Sequence, residues 1–464
     1  SASFPRGRGA ATLAGGLPAQ KNNIKEVIMK KKFLKGLFSV VMAGAMTLGI
    51  AACGGGGDAD SEDGSGATGT VSLSLWTPIT GADLTVFNRM ITRFNQAYEG
   101  QIHIDHQSNV RETHYQNLKN NIPNNGPDMA IIHSQLVRNY AEYDYIVPID
   151  STFFTKETID PDDYQANVMS TLIAGEDSYY GFPLDVHPIV LYYNKAIVGD
   201  NELPANFTEL MALAQELTDQ SSGVWGLPVS TLWPTEFTYT TALYQAGGTE
   251  LDTETSLPMF NSAEGAEAAE NLRDIIYKYK VSPENLQTDA DLNLFTTGKA
   301  AFHIQGCWSL LALEAALGAN LGVMSLSGLL TDKTGGNSRQ VFARSHVFTV
   351  AAQRRNISQR KKEAMVTFIK WMGENSAEWS QAGQIPAYNA ARETDEFKNA
   401  PYVNDFGDPS VFRTAASATY FESGYETVFQ YVTTIMTSAT SDIAKLMSDA
   451  EAEARRAVNT EMNG

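Results

Sequence analysis

Asp185 and His187 stand two residues apart in the stretch Pro183-Leu184-Asp185-Val186-His187-Pro188. On an extended strand that spacing puts both side chains on one face. A carboxylate beside an imidazole can grip a polar ligand, lock a fold or contribute to a metal site. A second histidine, His346, follows Arg344 and Ser345 far down the chain. Arginine pairs bidentately with carboxylate or phosphate, so Arg344 points either to an anionic ligand or to a surface charge offsetting an acidic chain. No Gly-x-Ser-x-Gly elbow, phosphate loop or metalloprotease helix motif occurs.

The chain has 464 residues and a formal net charge of −19. The first 52 residues hold eight of the 34 basic and one of the 53 acidic side chains, so the chain from Cys53 onward carries 26 and 52, a net charge of −26. Nucleic-acid binding depends on neutralising phosphates with Lys and Arg, and this balance argues against it. Lys30-Lys31-Lys32-Phe33-Leu34-Lys35 followed by the uncharged run Gly36–Ala52 has the layout of an export signal. The run is marginal for a membrane span, which needs about 20 apolar residues. Ile50-Ala51-Ala52-Cys53 resembles the lipobox of bacterial lipoproteins, in which the cysteine becomes the lipid-carrying N-terminus. Residues 1–28, rich in Gly, Ala and Pro, are expected to lie upstream of the true start at Met29, and residues 29–52 to be the signal. Cys307 is the one other cysteine, so an acylated Cys53 leaves no disulfide. Residues 53–70 are Gly/Ser/Asp-rich and read as a flexible leash. Asp58, Asp60 and Glu62 within them lack the final glutamate of a calcium loop.

From Val71 the pattern changes. Val71, Leu73 and Leu75 alternate with Ser72 and Ser74, which predicts a strand. Leu84, Phe87, Ile91 and Phe94 recur at helical spacing. Further helices are expected over 112–121, 206–218, 263–278, 360–374 and 442–458, and strands over 129–132, 190–193, 300–304 and 347–350. Strand and helix alternate, the pattern of an α/β fold with a mostly parallel sheet. The length from Cys53 exceeds one core, so two domains are expected.

In order along the chain, "RFNQAYEGQIHID", "NNGPDMAII", "YYGFPLDVHPIVLYYNK", "LPANFTELMALAQEL", "ALYQAGG", "LFTTGKAAFHIQGCW" and "EAMVTFIKWM" with "GQIPAYNA" resemble the extracellular solute-binding proteins of ABC importers, in the carbohydrate-binding group that includes the maltose-binding protein. The resemblance covers about 71–460. It implies the two-lobe periplasmic-binding-protein fold of type II, with strands crossing between lobes and the ligand held in the cleft. Lobe one would be 71–186 with 346–392, and lobe two 187–345 with 393–464. Ligands of open α/β sheets bind beyond the carboxyl ends of strands and at domain interfaces, which agrees.

A sugar offers hydroxyls on its rim and C–H groups on its faces, so its site needs aromatic planes with planar polar groups. The resemblance puts Trp308 at the family's stacking position and Trp233, Glu236 and Phe237, in the aromatic- and proline-rich "LWPTEFTY", in a contact segment expected at the surface rather than in a buried helix. From lobe one it implies Trp76, Thr80 and Asp83 after the first strand, and His133, Ser134 and Gln135 after the third. His187 stands where the maltose-binding protein has a sugar-contacting carboxylate, which puts maltose itself in doubt. His346, at the second crossover, would join Asp185 and His187 in a hydrogen-bonded cluster, read as ligand contact or as a hinge lock. Only these two histidines and one carboxylate are expected to converge, with His103, His106, His114, His133 and His303 scattered over both lobes. No metal and no cofactor are therefore expected. The resemblance implies a lipid-anchored, monomeric receptor on the outer face of the cell membrane that hands a sugar or oligosaccharide to an ABC permease. The alternatives are a surface-anchored glycosidase, which needs two carboxylates about 5–10 Å apart, or the same fold with a sugar phosphate, polyamine or peptide as cargo.

Overall fold

The computed structural model describes residues 69–353 and 356–463. The segments read as an export signal and a leash, and Cys53 between them, lie outside the described residues. The strands that build the two main sheets are β1 (Val71–Thr77), β2 (Ile102–Ser108), β3 (Met129–His133), β4 (Ile146–Val147), β5 (Phe182–Pro183), β6 (Asp185–Asn194), β7 (Phe302–Gly306), β8 (Leu321–Ser325), β9 (Val341–Arg344), β10 (His346–Ala351), β11 (Ile385–Pro386) and β12 (Phe412–Thr414). The helices used below are α1 (Gly81–Ala97), α2 (Arg111–Asn121), α3 (Thr235–Ala246), α4 (Ala263–Tyr277), α5 (Gln359–Glu374) and α6 (Ile443–Asn463).

Sheet one runs β2-β1-β3-β10-β4, with β5 also on β10. β1 pairs in parallel with β2 and β3, and β10 enters antiparallel to β3. The alternation of β1 drives Leu73 and Leu75 fully inside, and α1 lays Phe87, Met90 and Phe94 over them. The turn ahead of β3 is tied down by Asp128. Its Oδ2 accepts from the Ser74 backbone N–H (2.9 Å) and its Oδ1 from Lys361 Nζ (2.8 Å) on α5.

Sheet two runs β8-β6-β9-β12, with β7 and β11 also on β6. α4 begins at Ser262, whose hydroxyl accepts from the Gly265 N–H, the ordinary N-cap arrangement. Its Ala268, Leu272 and Ile275 face the second core.

Two strand passages join the sheets. The chain leaves sheet one at Pro183 and enters β6 at Asp185, and it leaves β9 at Arg344 and enters β10 at His346. β11 pairs with β6 at the same place, Ile385 with Val186 and Pro386 with Asp185. All three segments therefore meet around Asp185.

Several boundaries differ from the sequence reading. β6 runs unbroken from Asp185, joining the spacing of Asp185 and His187 to the apolar run near Val190, with β11 paired at Asp185 and Val186 and β9 at His187 and Pro188. β7 covers Phe302–Gly306, two residues later than expected. α6 continues to Asn463. The largest correction is α3. The segment expected at the surface is a helix buried from Phe237 to Ala246, with Phe237 and Tyr239 inside the second core.

Candidate functional site

Asp185 is fully buried where the segments meet. Its Oδ1 lies 3.0 Å from His187 Nδ1 and accepts the His346 backbone N–H at 3.0 Å. Its Oδ2 lies 2.7 Å from His346 Nδ1 and accepts from Trp379 Nε1 at 2.6 Å. One carboxylate thus ties both strand passages and the segment after α5 together. Burial alone would raise its pKa, but His346 and His187, through charge and hydrogen bonds, outweigh that and hold it below the ordinary carboxylate range. An ionised carboxylate only accepts, so both Nδ1 atoms carry a proton, and whenever either ring is neutral Nε2 is its lone-pair nitrogen. Burial pushes the His187 imidazole down to about 4.

His133 is not scattered. β3 and β10 pair in register, with His133 opposite His346, and its ring lies 5.0 Å from that of His346 and 5.6 Å from that of His187. Spacing could not reveal this, because the pairing joins segments far apart in the chain. The Tyr115 hydroxyl of α2 meets His133 Nδ1 and accepts its backbone N–H at 3.0 Å. Burial, then the neighbouring imidazoles, pushes His133 well below its usual range. The remaining histidines sit elsewhere. His114 bonds the Ile131 carbonyl, His106 bonds Thr77 and Asn88, and His303 stacks on Phe295 in the core.

Trp308 follows β7 and packs against both hydrophobic cores. Its ring is 5.8 Å from His187, 5.4 Å from Phe237 and 6.4 Å from Trp233, forming an aromatic wall beside the histidines. A Cβ on Gly306 would stand 2.1 Å from that ring, so only glycine lets the indole fold back over its own strand. Phe237 is buried, while Trp233 and Trp308 remain partly exposed.

Arg344 is no surface arginine. It is buried, its Nη1 is 3.1 Å from Glu236 Oε1, and its guanidinium stacks 4.4 Å over Phe237. Arg111 and Glu426, 3.9 Å apart, and Glu422 lie close enough to share its field. Burial, then Glu422, raises the Glu426 carboxyl to about 7. Beside these groups, Ser134 Oγ, both polar atoms of Gln135, Ser345 Oγ, Arg344 Nε, Arg111 Nε and Glu426 Oε1 are buried without a hydrogen-bond partner among the described residues. Unpaired buried polar atoms are costly in a finished core; others, such as Tyr164 Oη and Asp291 Oδ1, lie elsewhere, while Ser134 and Gln135 follow β3 and Arg344 and Ser345 lie in the second strand passage itself.

Three expected residues make no hydrogen bond to Asp185 or its partners among the described residues, although Asp83 lies close enough to feel the charges of His346 and Asp185. Thr80 is exposed ahead of α1, and Trp76 is half-buried against the first core. Asp83, buried in the first turn of α1, accepts from Gln384 Nε2 at 2.8 Å, and burial raises its carboxyl to about 7. Between the ordinary carboxylate range and about pH 7 the folded chain therefore holds a proton that the unfolded chain releases, and stability falls as pH rises through that window. Asp83→Asn keeps an acceptor for Gln384 without the charge. It should raise the melting temperature at pH 8 and leave it nearly unchanged at pH 4; equal shifts at both would contradict the assignment. Tyr115, Trp379, Arg111 and Glu426 carried no sequence signal, since each reaches the site through tertiary packing.

The profile described as bacterial extracellular solute-binding protein matches residues 89–405, more than half of the chain. The galactooligosaccharide-binding protein of Bacillus subtilis is 24% identical over 227 residues, 48% of this chain and 52% of that protein, so the chain spans about half the length of the curated relative it matches. Among solved structures, the GacH receptor of Streptomyces glaucescens, determined unliganded and with acarbose, superposes with a TM-score of 0.70 at 17% identity over 84% of this chain and 99% of that one. The Thermus thermophilus maltotriose-binding protein, bound with maltotriose, gives 0.67 at 19% over 83% and 100%. These likenesses establish the two-lobe binding-protein fold.

Proposed function

Because the chain belongs to the bacterial extracellular solute-binding protein family, we propose that it captures a sugar or oligosaccharide between its lobes and delivers it to the membrane subunits of an ABC permease. The observation that carries this reading is the wall of Trp233, Phe237 and Trp308 beside unpartnered buried polar groups at the strand passages. Aromatic planes suit the C–H faces of a pyranose, and the polar atoms suit its hydroxyls. Relatives and structural neighbours that bind oligosaccharides support the same class.

The charge balance favours a neutral ligand. Arg344 already faces Glu236, and Glu422 and Glu426 outnumber the remaining Arg111. A uronate or sugar phosphate would bring another negative charge into that field, which like charges oppose.

We place lobe one at 71–186 with 346–392 and lobe two at 187–345 with 393–464, and assign Cys53 as the lipid anchor that holds the exported protein at the outer face of the membrane. The protein acts as a monomer and binds without turnover. Titration calorimetry against maltotriose, galactooligosaccharides and their neutral relatives should give saturable one-to-one binding with no reducing ends released. Micromolar affinity corresponds to about −8 kcal/mol. A panel of neutral and acidic sugars that gives neither heat nor a thermal shift would sink the carbohydrate reading, and release of products would convert it to a glycosidase.

A further inference from the structure

The three histidines at the strand passages form more than a hinge lock. His133, His187 and His346 each present a ring nitrogen, and these three atoms lie within 4.8 Å of one another. They come from three strands, β3 and β10 of sheet one and β6 of sheet two. Asp185 occupies Nδ1 of His187 and of His346, which turns both Nε2 lone pairs away from it. Tyr115 occupies Nδ1 of His133. In the tautomer where Nδ1–H donates to that hydroxyl, His133 presents Nε2 in the same way. None of the three Nε2 atoms has a hydrogen-bond partner among the described residues.

A lock explains only part of this. Asp185 holds His187, His346 and Trp379 without any help from His133. A third imidazole, fixed from behind by its own partner and aimed at the other two, adds nothing to that knot. Metal sites are built this way: each ligating histidine gives its other ring nitrogen to an outer partner that sets its tautomer and angle. Imidazole donors suit zinc, copper, nickel and iron, and three protein ligands with an open fourth position is the layout of an exchangeable zinc site.

We propose that His133, His187 and His346 bind one divalent transition-metal ion of the zinc class through Nε2, with the fourth position open toward Trp308. Metal–nitrogen bonds of about 2.0–2.1 Å in tetrahedral geometry set the donors about 3.4 Å apart. The ring nitrogens now lie within 4.8 Å of one another, so binding would draw the donors together by up to about 1.4 Å per pair. Such an ion would bridge β3 and β10 on one sheet to β6 on the other, directly across the strand passages. Its open position would face the aromatic wall, since the ring of His187 is 5.8 Å from that of Trp308. The site stands whether or not the cargo is a sugar.

The test uses the tag-free full-length chain, stripped with chelator and titrated with Zn²⁺ by calorimetry and with Co²⁺ by visible absorption. One equivalent of zinc should bind with a submicromolar Kd. One equivalent of cobalt should give the intense visible bands of a four-coordinate ion, bleached by zinc. His133→Ala spares the Asp185 knot. It should weaken zinc at least 100-fold and abolish the cobalt bands while leaving the melting temperature of the metal-free protein within a degree or two. His103→Ala, in β2 away from the trio, should change nothing. The proposal is overturned if the wild-type chain takes up no stoichiometric zinc at 10 µM, if its cobalt spectrum is that of the hydrated ion, or if binding survives in His133→Ala. The wild-type spectrum decides the matter by itself should that variant fail to fold.

Discussion

Asp185→Ala should destabilise the ligand-free protein by about 3–5 kcal/mol, the usual cost of removing one partner from a buried charged network. The substitution strands the Trp379 indole N–H, the His346 backbone N–H and two imidazoles around a position that is itself fully buried. Asp185→Asn should fare little better. Its amide nitrogen would face a donor that the carboxylate now accepts from, and one of the four contacts must break. Urea denaturation followed by tryptophan fluorescence measures the difference. The sign of its pH dependence is set by the depressed carboxyl of Asp185. A group whose pKa is lowered on folding stabilises above the ordinary carboxylate range and loses that contribution as pH falls through it. The gap between wild type and Asp185→Ala should therefore be widest near neutrality and shrink on acidification below about pH 4. A loss below about 0.5 kcal/mol at pH 7, the size of an ordinary surface change, would mean that the ladders of β6 and β10 hold the passages without the knot.

Trp308→Ala should raise the Kd for the best oligosaccharide of the panel by ~30-fold or more, about 2 kcal/mol, in line with losing a central tryptophan anchor. The indole is the piece of the aromatic wall nearest His187, and it is fixed from beneath by Gly306. Gly306→Ala should act in the same direction without removing any ligand contact, because its methyl would displace the ring. Thr80→Ala, at an exposed hydroxyl, should leave binding near wild type. Calorimetry at one temperature on the three variants separates these outcomes. An unchanged Kd in Trp308→Ala would remove the stacking platform from the proposed function.

Much of the architecture was legible in local pattern. The alternation of Val71, Leu73 and Leu75 and the helical spacing of Phe87, Ile91 and Phe94 each report one face packed against a core, and both elements fall where the spacing puts them. α3 failed that reading for a physical reason. It is enclosed on nearly every side, and its threonines and tyrosines are buried with its leucine, so it has no polar face to contrast with an apolar one. The spacing of Asp185 and His187 suits a strand, but the apolar run by itself starts only near Val190, although the residues before it are buried as deeply as those that follow.

The site was legible only in part. Asp185 and His187 share a face because they share a strand, and spacing predicts that directly. His133 meets His346 through strand register, and Trp379 meets Asp185 through packing of the segment after α5. Neither relation leaves a trace in local sequence. Arg344 was read as a choice between an anion receptor and a solvated charge, and the structure gives it Glu236 instead. The residue types pointed to electrostatics; the partner was a matter of fold.

The interleaving of β10 between β3 and β4 also bears on biogenesis. Sheet one holds β1, β2 and β3 early in the chain, yet its central ladder waits for His346–Ala351, which are made after β6, β7, β8 and β9 of sheet two. Contacts so distant in sequence form slowly, because loop closure must precede any reward from pairing. A nascent chain can therefore not complete sheet one while its last third is unmade. For an exported polypeptide that crosses a membrane unfolded, that delay leaves sheet one unfinished until Ala351, about three-quarters of the way along the 464 residues, has crossed.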